Sequence, residues 1–500
     1  MRSSIFSLGL HAALLANTLS AQTGSYTIID IGDLAPAGSH DGTNATGINE
    51  LGHVAAITGD GTGGASIPVL YRDGQLVNLG GFPGENIGGG GKGVNNLDQV
   101  AGWSGNDAFP FSGTQSEPFI WTEGEGMVNP INDEPTNWSG EAWDVNDAGQ
   151  MVFTSKGGFF DPVTGFKRIS FDGASGFWKT WDLNEDGVVC GSARGGPINQ
   201  INAFRYESST DAITNLNDPV LDHHSDAYGL NDLGDIAGWA LMFGPSQSGV
   251  VWTADGQTLR LPVGDLGVNQ IQGTAEHINN HGDVVGLDSF PGPHAGNPDF
   301  EPLGWVTFQA TEASPVVKTN LLSLVDPAAV AYWRRLHPFE INDRGEICGL
   351  GVAQAWIGDG SGGARGFLMV PNTPDRFRSL SRSLPGVNGH PVLVAKGTLE
   401  PGTAVEMGLY KAAPNASGFL MLGLDTVYAP LKGGVLVPAA FSAGGSILPT
   451  LTDGIGGVSL TSTWPAGIPA NLDIVAQYWI ADAAGAEGYS ASNAVTQTSN

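Results

Sequence analysis

Gly47-Ile48-Asn49-Glu50-Leu51-Gly52-His53-Val54 packs an apolar residue, an Asn, two turn formers with a Gly and a new apolar strand into one short run. The pattern returns at Gly93–Val100, Asp144–Met151, Asp182–Val189, Gly229–Ile236, His277–Val284 and Glu340–Ile347. Its asparagines are Asn49, Asn95, Asn146, Asn184, Asn231, Asn279 and Asn342, a spacing of about 49 residues. Each copy reads as a tight hairpin, because Asn can bond the backbone two residues on and Gly accepts positive φ. A second hairpin follows in most copies, marked by Val69-Leu70-Tyr71-Arg72, Phe119-Ile120-Trp121, Phe204-Arg205-Tyr206 or Val250-Val251-Trp252. Two hairpins make four strands, the content of one propeller blade.

The ends of the array set the expected topology. The last copy stops at Pro371 without an outer strand, while Tyr26-Thr27-Ile28-Ile29-Asp30-Ile31-Gly32 stands alone near the beginning. Pairing the two would close a ring and remove two open edges. The expectation is an all-β chain: a seven-bladed β-propeller with split-blade closure over residues 22–373. An open β-solenoid is the competing architecture, and it would need capping repeats.

The recurring Gly/Asp-Ile/Val-Asn-x-x-Gly-x-Val-x-Gly, alternating with aromatic strands, resembles the bacterial HAF-repeat extracellular proteins over roughly residues 25–371. That resemblance implies secretion and a propeller, and supplies no catalytic residues. Residues 374–378 read as a linker. From Ser379 to Asn500 short alternating strands resemble an accessory module found at the C-termini of secreted bacterial proteins, expected to be a β-sandwich.

Met1-Arg2, the apolar run Ile5–Leu15 and the small residues before Gln22 read as a signal peptide over residues 1–21. The mature chain is therefore expected outside the cytoplasm, at the cell surface or in the periplasm, with no transmembrane segment and as a monomer. Lys and Arg number 21 against 50 Asp and Glu, a net charge of −29. That balance argues against nucleic acid, which needs basic patches. Cys190 and Cys348 occupy equivalent strand positions in the fourth and seventh copies, too far apart in a ring for the ~7 Å span of a disulfide. Two buried thiols are expected.

Chemistry is sparse. Asp182, Asn184, Asp186 and Gly187 match the first half of a calcium loop, but Ala193 stands where a bidentate Glu is needed, so a structural turn is the first reading and calcium the second. Asp222-His223-His224-Ser225-Asp226 is the densest cluster of metal-ligand types, read first as a solvated loop. Trp121, Trp252 and Trp305 are assigned to blade packing. Trp138, Trp143, Trp178, Trp181, Tyr228, Trp333 and Phe339 precede the repeat asparagines, where connections gather at a channel mouth. Packing is favoured for Trp143 and Trp181. Trp138, Trp178 and Trp333, with Arg334, His223 and Asp226, are the candidate ligand-binding residues, because rings stack on sugar faces and carboxylates accept hydroxyl bonds. The expected function is a noncatalytic exported binder of a polysaccharide or protein. The alternative is a carbohydrate-active hydrolase or lyase using rim carboxylates such as Asp222 and Asp226; no catalytic motif is present.

Overall fold

The computed structural model describes residues 25–34, 42–59, 66–82, 88–105, 116–131, 140–154, 157–170, 174–195, 200–218, 222–242, 247–262, 272–289, 303–308, 316–353 and 364–500. The expected signal peptide lies outside them. The fold is all-β and propeller-like. Each repeat folds as a four-stranded antiparallel sheet in which consecutive strands pair, as in Thr43–Ile48, Val54–Gly59, Ser66–Arg72 and Gln75–Asn78. The fifth and sixth copies touch edge to edge through one parallel pair, Gln247 with Gln272. In the seventh copy the fourth strand is Tyr26–Asp30, paired antiparallel with Ala364–Pro371 from Tyr26↔Pro371 to Asp30↔Phe367. The lone N-terminal strand therefore completes the last sheet.

The repeat asparagine does more than turn the chain. In every copy its Oδ1 accepts the N–H four residues on, as from His53 to Asn49 at 2.9 Å. Its Nδ2 donates to the backbone oxygen of the next copy's asparagine: Asn49 to Asn95, then on to Asn146, Asn184, Asn231, Asn279 and Asn342, at 2.9–3.1 Å. Asn342 donates to Asn49 at 3.0 Å, so the series returns to its start. All seven asparagines are at most 5% exposed.

Apolar packing follows the same circuit. Seven buried clusters each join two consecutive copies, from Leu70, Val100 and Phe119 between the first and second to Ile48, Cys348 and Leu368 between the seventh and first. The glycine of the second strand is where the third-strand ring lies. A Cβ on Gly102, Gly238 or Gly286 would stand within 2.6, 2.8 and 2.4 Å of Phe119, Trp252 and Trp305. Sheet packing is thus what fixes Trp252 and Trp305. Both cysteines are free and fully buried.

Every first strand carries a register shift just before its asparagine, for example between Ala142 and Asp144, Thr180 and Asp182, and Ala227 and Gly229. Such a bulge re-aims a side chain. The turn glycines that follow have positive φ, from 68° at Gly187 to 91° at Gly234. The second copy has Asp98 there instead, at φ 59°, and its carboxylate is held by His53 Nδ1 at 2.7 Å and Asn49 Nδ2 at 3.2 Å.

Beyond residue 375 lie three further sheets, and two of them, including Val392–Lys396 and Ala404–Tyr410 in one and Ser417–Gly423 and Asp473–Ala481 in the other, share a core of Leu393, Leu409, Leu420, Tyr478 and Ile480. Among the described residues no helix is long and apolar enough to cross a membrane.

Replacing Asn184 with Ala removes its bond to Asn231 and its acceptor for the Asp186 and Val188 N–H groups. Buried donors left unpaired cost about 1–3 kcal/mol each, so a loss of roughly 2–4 kcal/mol is expected in urea unfolding. Val163→Ala, at a 92% exposed site, should change stability by less than ~0.5 kcal/mol.

Candidate functional site: an axial cavity lined by all seven copies

The turns that carry the asparagines surround a cavity of about 430 Å³, to which all seven copies contribute. Its first layer is the residue after each asparagine: Glu50, Asn96, Asp147, Glu185, Asp232, Asn280 and Asp343. Each backbone N–H here donates to the next copy's side chain, from Glu50 to Asn96 Oδ1 at 2.8 Å round to Asp343 on Glu50 Oε1 at 3.0 Å. Five carboxylates and two amides therefore form a second closed circuit. Burial, reinforced by neighbouring carboxylates, pushes Glu50 and Glu185 well above the usual range and Asp343 up to about 6.

The second layer lies two residues before each asparagine, where Gly47, Gly93 and Gly229 alternate with Asp144, Asp182, His277 and Glu340. The acids bridge copies. Asp144 accepts Leu183 N–H at 3.4 Å, Asp182 accepts Leu230 N–H at 2.7 Å and Glu340 accepts Ile48 N–H at 2.7 Å. Asp144 and Asp182 also share a hydrogen bond, and His277 Nε2 lies 3.5 Å from Asp182. Burial pushes Asp182 up to about 6 and Glu340 up to about 8, and holds Asp144 well above its ordinary value.

Outside the cavity lining, three residues before each asparagine, lies the bulged position: Thr46, Lys92, Trp143, Trp181, Tyr228, Glu276 and Phe339, all half-buried. Neighbours touch. Lys92 sits over Trp143 at 4.0 Å, Trp143 meets Trp181 edge-on at 4.8 Å, and Trp181 meets Tyr228 at 5.8 Å. Lys179 covers Trp181 at 4.6 Å, and Trp181 Nε1 donates to Asp226 at 3.0 Å. Burial pushes Asp226 up to about 7. The third to fifth copies thus give an aromatic wall; Thr46, Thr274 and Glu276 of the first and sixth copies are polar.

Several expected site residues lie elsewhere. Trp138 is outside the described residues, and of Trp178 only the backbone is described, opposite Ala193. Trp333 is not a rim residue. It is 2% exposed, packs on Phe367 at 6.2 Å and lies over Gly351, so no ring face is left for a ligand. Arg334 is half-buried on the same strand, Trp333–Ile341. Asp222–Asp226 is not a solvated loop but the start of the strand Asp222–Leu230. Asp222 is buried in an ion pair with Arg260 at 2.6 Å, and His223 packs edge-on against His224 at 4.1 Å. Asp222 and Asp226 are accordingly buried wall residues rather than rim carboxylates.

Asp182, Asn184 and Asp186 do not converge as a calcium loop would require. Asp182 faces the cavity, Asn184 is spent on the circuit, and Asp186 accepts His390 N–H at 2.6 Å and pairs with Lys411. Among the described residues no group of three or more His, Cys, Asp or Glu is arranged to hold a metal ion. The sequence alone does not mark Glu50, Asp232, Asp343, His277 and Glu340 as cavity residues, and it suggests Asp144, Asp147 and Glu185 only as parts of calcium-like turns. Their signal was a fixed offset from the asparagine.

No family model matches this chain, and no curated protein matches it. Among solved structures it is similar to TolB from Acinetobacter baumannii, at 15% identity over 44% of this chain and a TM-score of 0.31; the chain spans about half, 54%, of that protein. It is also similar to XC5397 from Xanthomonas campestris, described as a gluconolactonase (9% identity, 72% of this chain, 93% of the other, TM-score 0.33). An oligogalacturonate lyase from Vibrio parahaemolyticus matches 69% of this chain and 97% of its own at 10% identity and a TM-score of 0.29. Likeness at this level carries no argument about activity.

The raised carboxylates give a pH dependence with a definite sign. The folded chain keeps these protons above the pH (~4) at which unfolded carboxylates lose them. Their contribution to stability is therefore fully present below that pH and is lost as pH rises through 6 to 8. Glu340→Gln, which keeps an acceptor for Ile48, should flatten this decline and be more stable than the parent above pH 8. Urea titrations from pH 4 to 9 measure both slopes; parallel curves would remove Glu340 as a source.

Proposed function

We propose that the seven sheets are the blades of a closed seven-bladed propeller of HAF-repeat type, followed by a β-sandwich module, in an exported noncatalytic protein that binds a polysaccharide. The observation that carries this reading is the asymmetry of the bulged layer. Trp143, Trp181 and Tyr228 form one continuous aromatic wall, while Thr46, Thr274 and Glu276 stand on the other side, flanking the single ring of Phe339. A pyranose has the same two characters, an apolar ring face and a rim of hydroxyls. Aromatic rings take the first, and hydroxyls and carboxylates take the second. Lys92 and Lys179 cover two of the rings and would move aside or bond the sugar as it enters.

A second reading has an observation of its own. Asp144, Asp182, His277 and Glu340 lie one residue deeper, with raised carboxyl pKa values in a shared cavity, as acid–base sites often do. A carbohydrate-active enzyme would place its acid and base here rather than at Asp222 and Asp226.

A glycan array with the intact chain, run beside Trp143→Ala and Trp181→Ala, tests both readings. Binding lowered ten-fold or more in the variants, with circular dichroism unchanged, is the expected result. Array hits should then be incubated with the parent and with Asp182→Asn. Release of shorter sugars by the parent alone would replace the binder with the enzyme. No glycan bound by the parent would overturn both.

A further inference from the structure

The cavity has a floor. Segments beyond residue 375 reach the asparagine turns and hold them at widely separated points. Asn96 Nδ2 donates to Ser381 Oγ at 2.7 Å, Lys411 pairs with Asp186 and donates to Asp232 O at 2.7 Å, and His390 N–H donates to Asp186 at 2.6 Å. Arg376 pairs with Asp283 at 2.9 Å and Arg378 lies 3.5 Å from Glu346. These anchors fall on the second, fourth, fifth, sixth and seventh copies, so the cover spans the ring instead of leaning on one side. Ser381, Arg382, His390, Val435 and Asn493 line the cavity from below. At Gly389, with φ +83°, a Cβ would stand 2.5 Å from Asp186 Oδ1, so backbone itself closes against the turn.

We propose that the ligand is recognised by its terminus: one end of a glycan chain enters past the aromatic layer and stops in the cavity. This rests on the glycan-binding reading above. A chain passing along the axis would need both ends open, and the C-terminal sheets occupy one. The volume of about 430 Å³ lies low in the ~300–1,000 Å³ range of small-molecule pockets, room for terminal sugars and not for a traversing polymer. The wall chemistry sets the class of terminus. Glu50, Asp147, Glu185 and Asp232 with the acids above them accept bonds from hydroxyl or ammonium groups, and Arg382 and His390 in the floor add donors. The favoured end is a neutral or amino sugar.

The test uses the intact protein and the strongest neutral glycan from the array, titrated calorimetrically in four forms: oligosaccharides of increasing length, the long polymer, the same chain with each end blocked in turn, and a cyclic form. Terminus recognition predicts one protein per polymer chain whatever its length, affinity that stops rising after a few sugars, and a ten-fold or greater loss when one particular end is blocked or absent. Several proteins per chain in proportion to length, or cyclic glycan bound as tightly as linear, would overturn terminus recognition while leaving the glycan-binding reading in place. No binding by any form overturns both.

Discussion

The amide of the repeat asparagine has two ends, and the structure uses them for different ranges of order. Its oxygen closes the local turn and its nitrogen reaches the neighbouring copy. Glutamine would be too long to serve both partners, and aspartate would present an acceptor where a donor is required. Because each bond points the same way round the series, every copy is donor to one neighbour and acceptor from the other. No copy is left with an unmet group, which matters at positions only 3–5% exposed.

That constraint fixes seven equivalent sets of positions, and the chemistry comes from departures from equivalence. The asparagine position does not vary. One residue on, five acids and two amides all accept the same kind of N–H, so the circuit tolerates exchange between carboxylate and carboxamide. Two residues back, glycine in two copies leaves room for the larger side chain of the next, a Cβ on Gly93 standing 2.2 Å from Asp144 Oδ1 and one on Gly229 2.6 Å from the His277 ring, while Gly47 lies against the Lys92 backbone. Three residues back, the bulge releases the side chain from sheet packing, and the layer becomes aromatic on one side. Moving toward the bulge, the requirement of the fold weakens and the variety of side chains grows.

The repeat, its period, the four strands per copy and the pairing of Tyr26–Asp30 with the last copy were legible because each rests on local turn chemistry or on counting strands. The cavity acids were not, since Glu50 and Glu340 look like ordinary surface charges until the copies are set in register. Trp333 was misread for a related reason. It precedes its asparagine as Trp143 does, but lies far enough up the strand to face Gly351, whereas Trp143 occupies the bulge. A one-residue irregularity decides which face a side chain takes, and a short sequence window does not display it. Asp222–Asp226 illustrates the opposite error: polar composition suggested a loop, yet ion pairing with Arg260 lets a charged residue sit inside a sheet.

Charge explains why the C-terminal sheets sit where they do. The turns present carboxylates at one, two and four residues past the asparagine, including Glu185, Asp186, Asp283 and Glu346, in a chain with few bases to offset them. The segment from Arg376 to Lys411 brings Arg376, Arg378 and Lys411 to that end, with His390 in the same wall. Each cation meets an acid at a partly or fully buried site, where such pairs are screened less than on an open surface. The aromatic end receives no comparable counter-layer from this segment. There Lys92 lies over Trp143 and 3.5 Å from Glu141, and Lys179 lies over Trp181. The same shortage of basic residues thus ties the C-terminal sheets to the turn end of the seven copies, where the acids are.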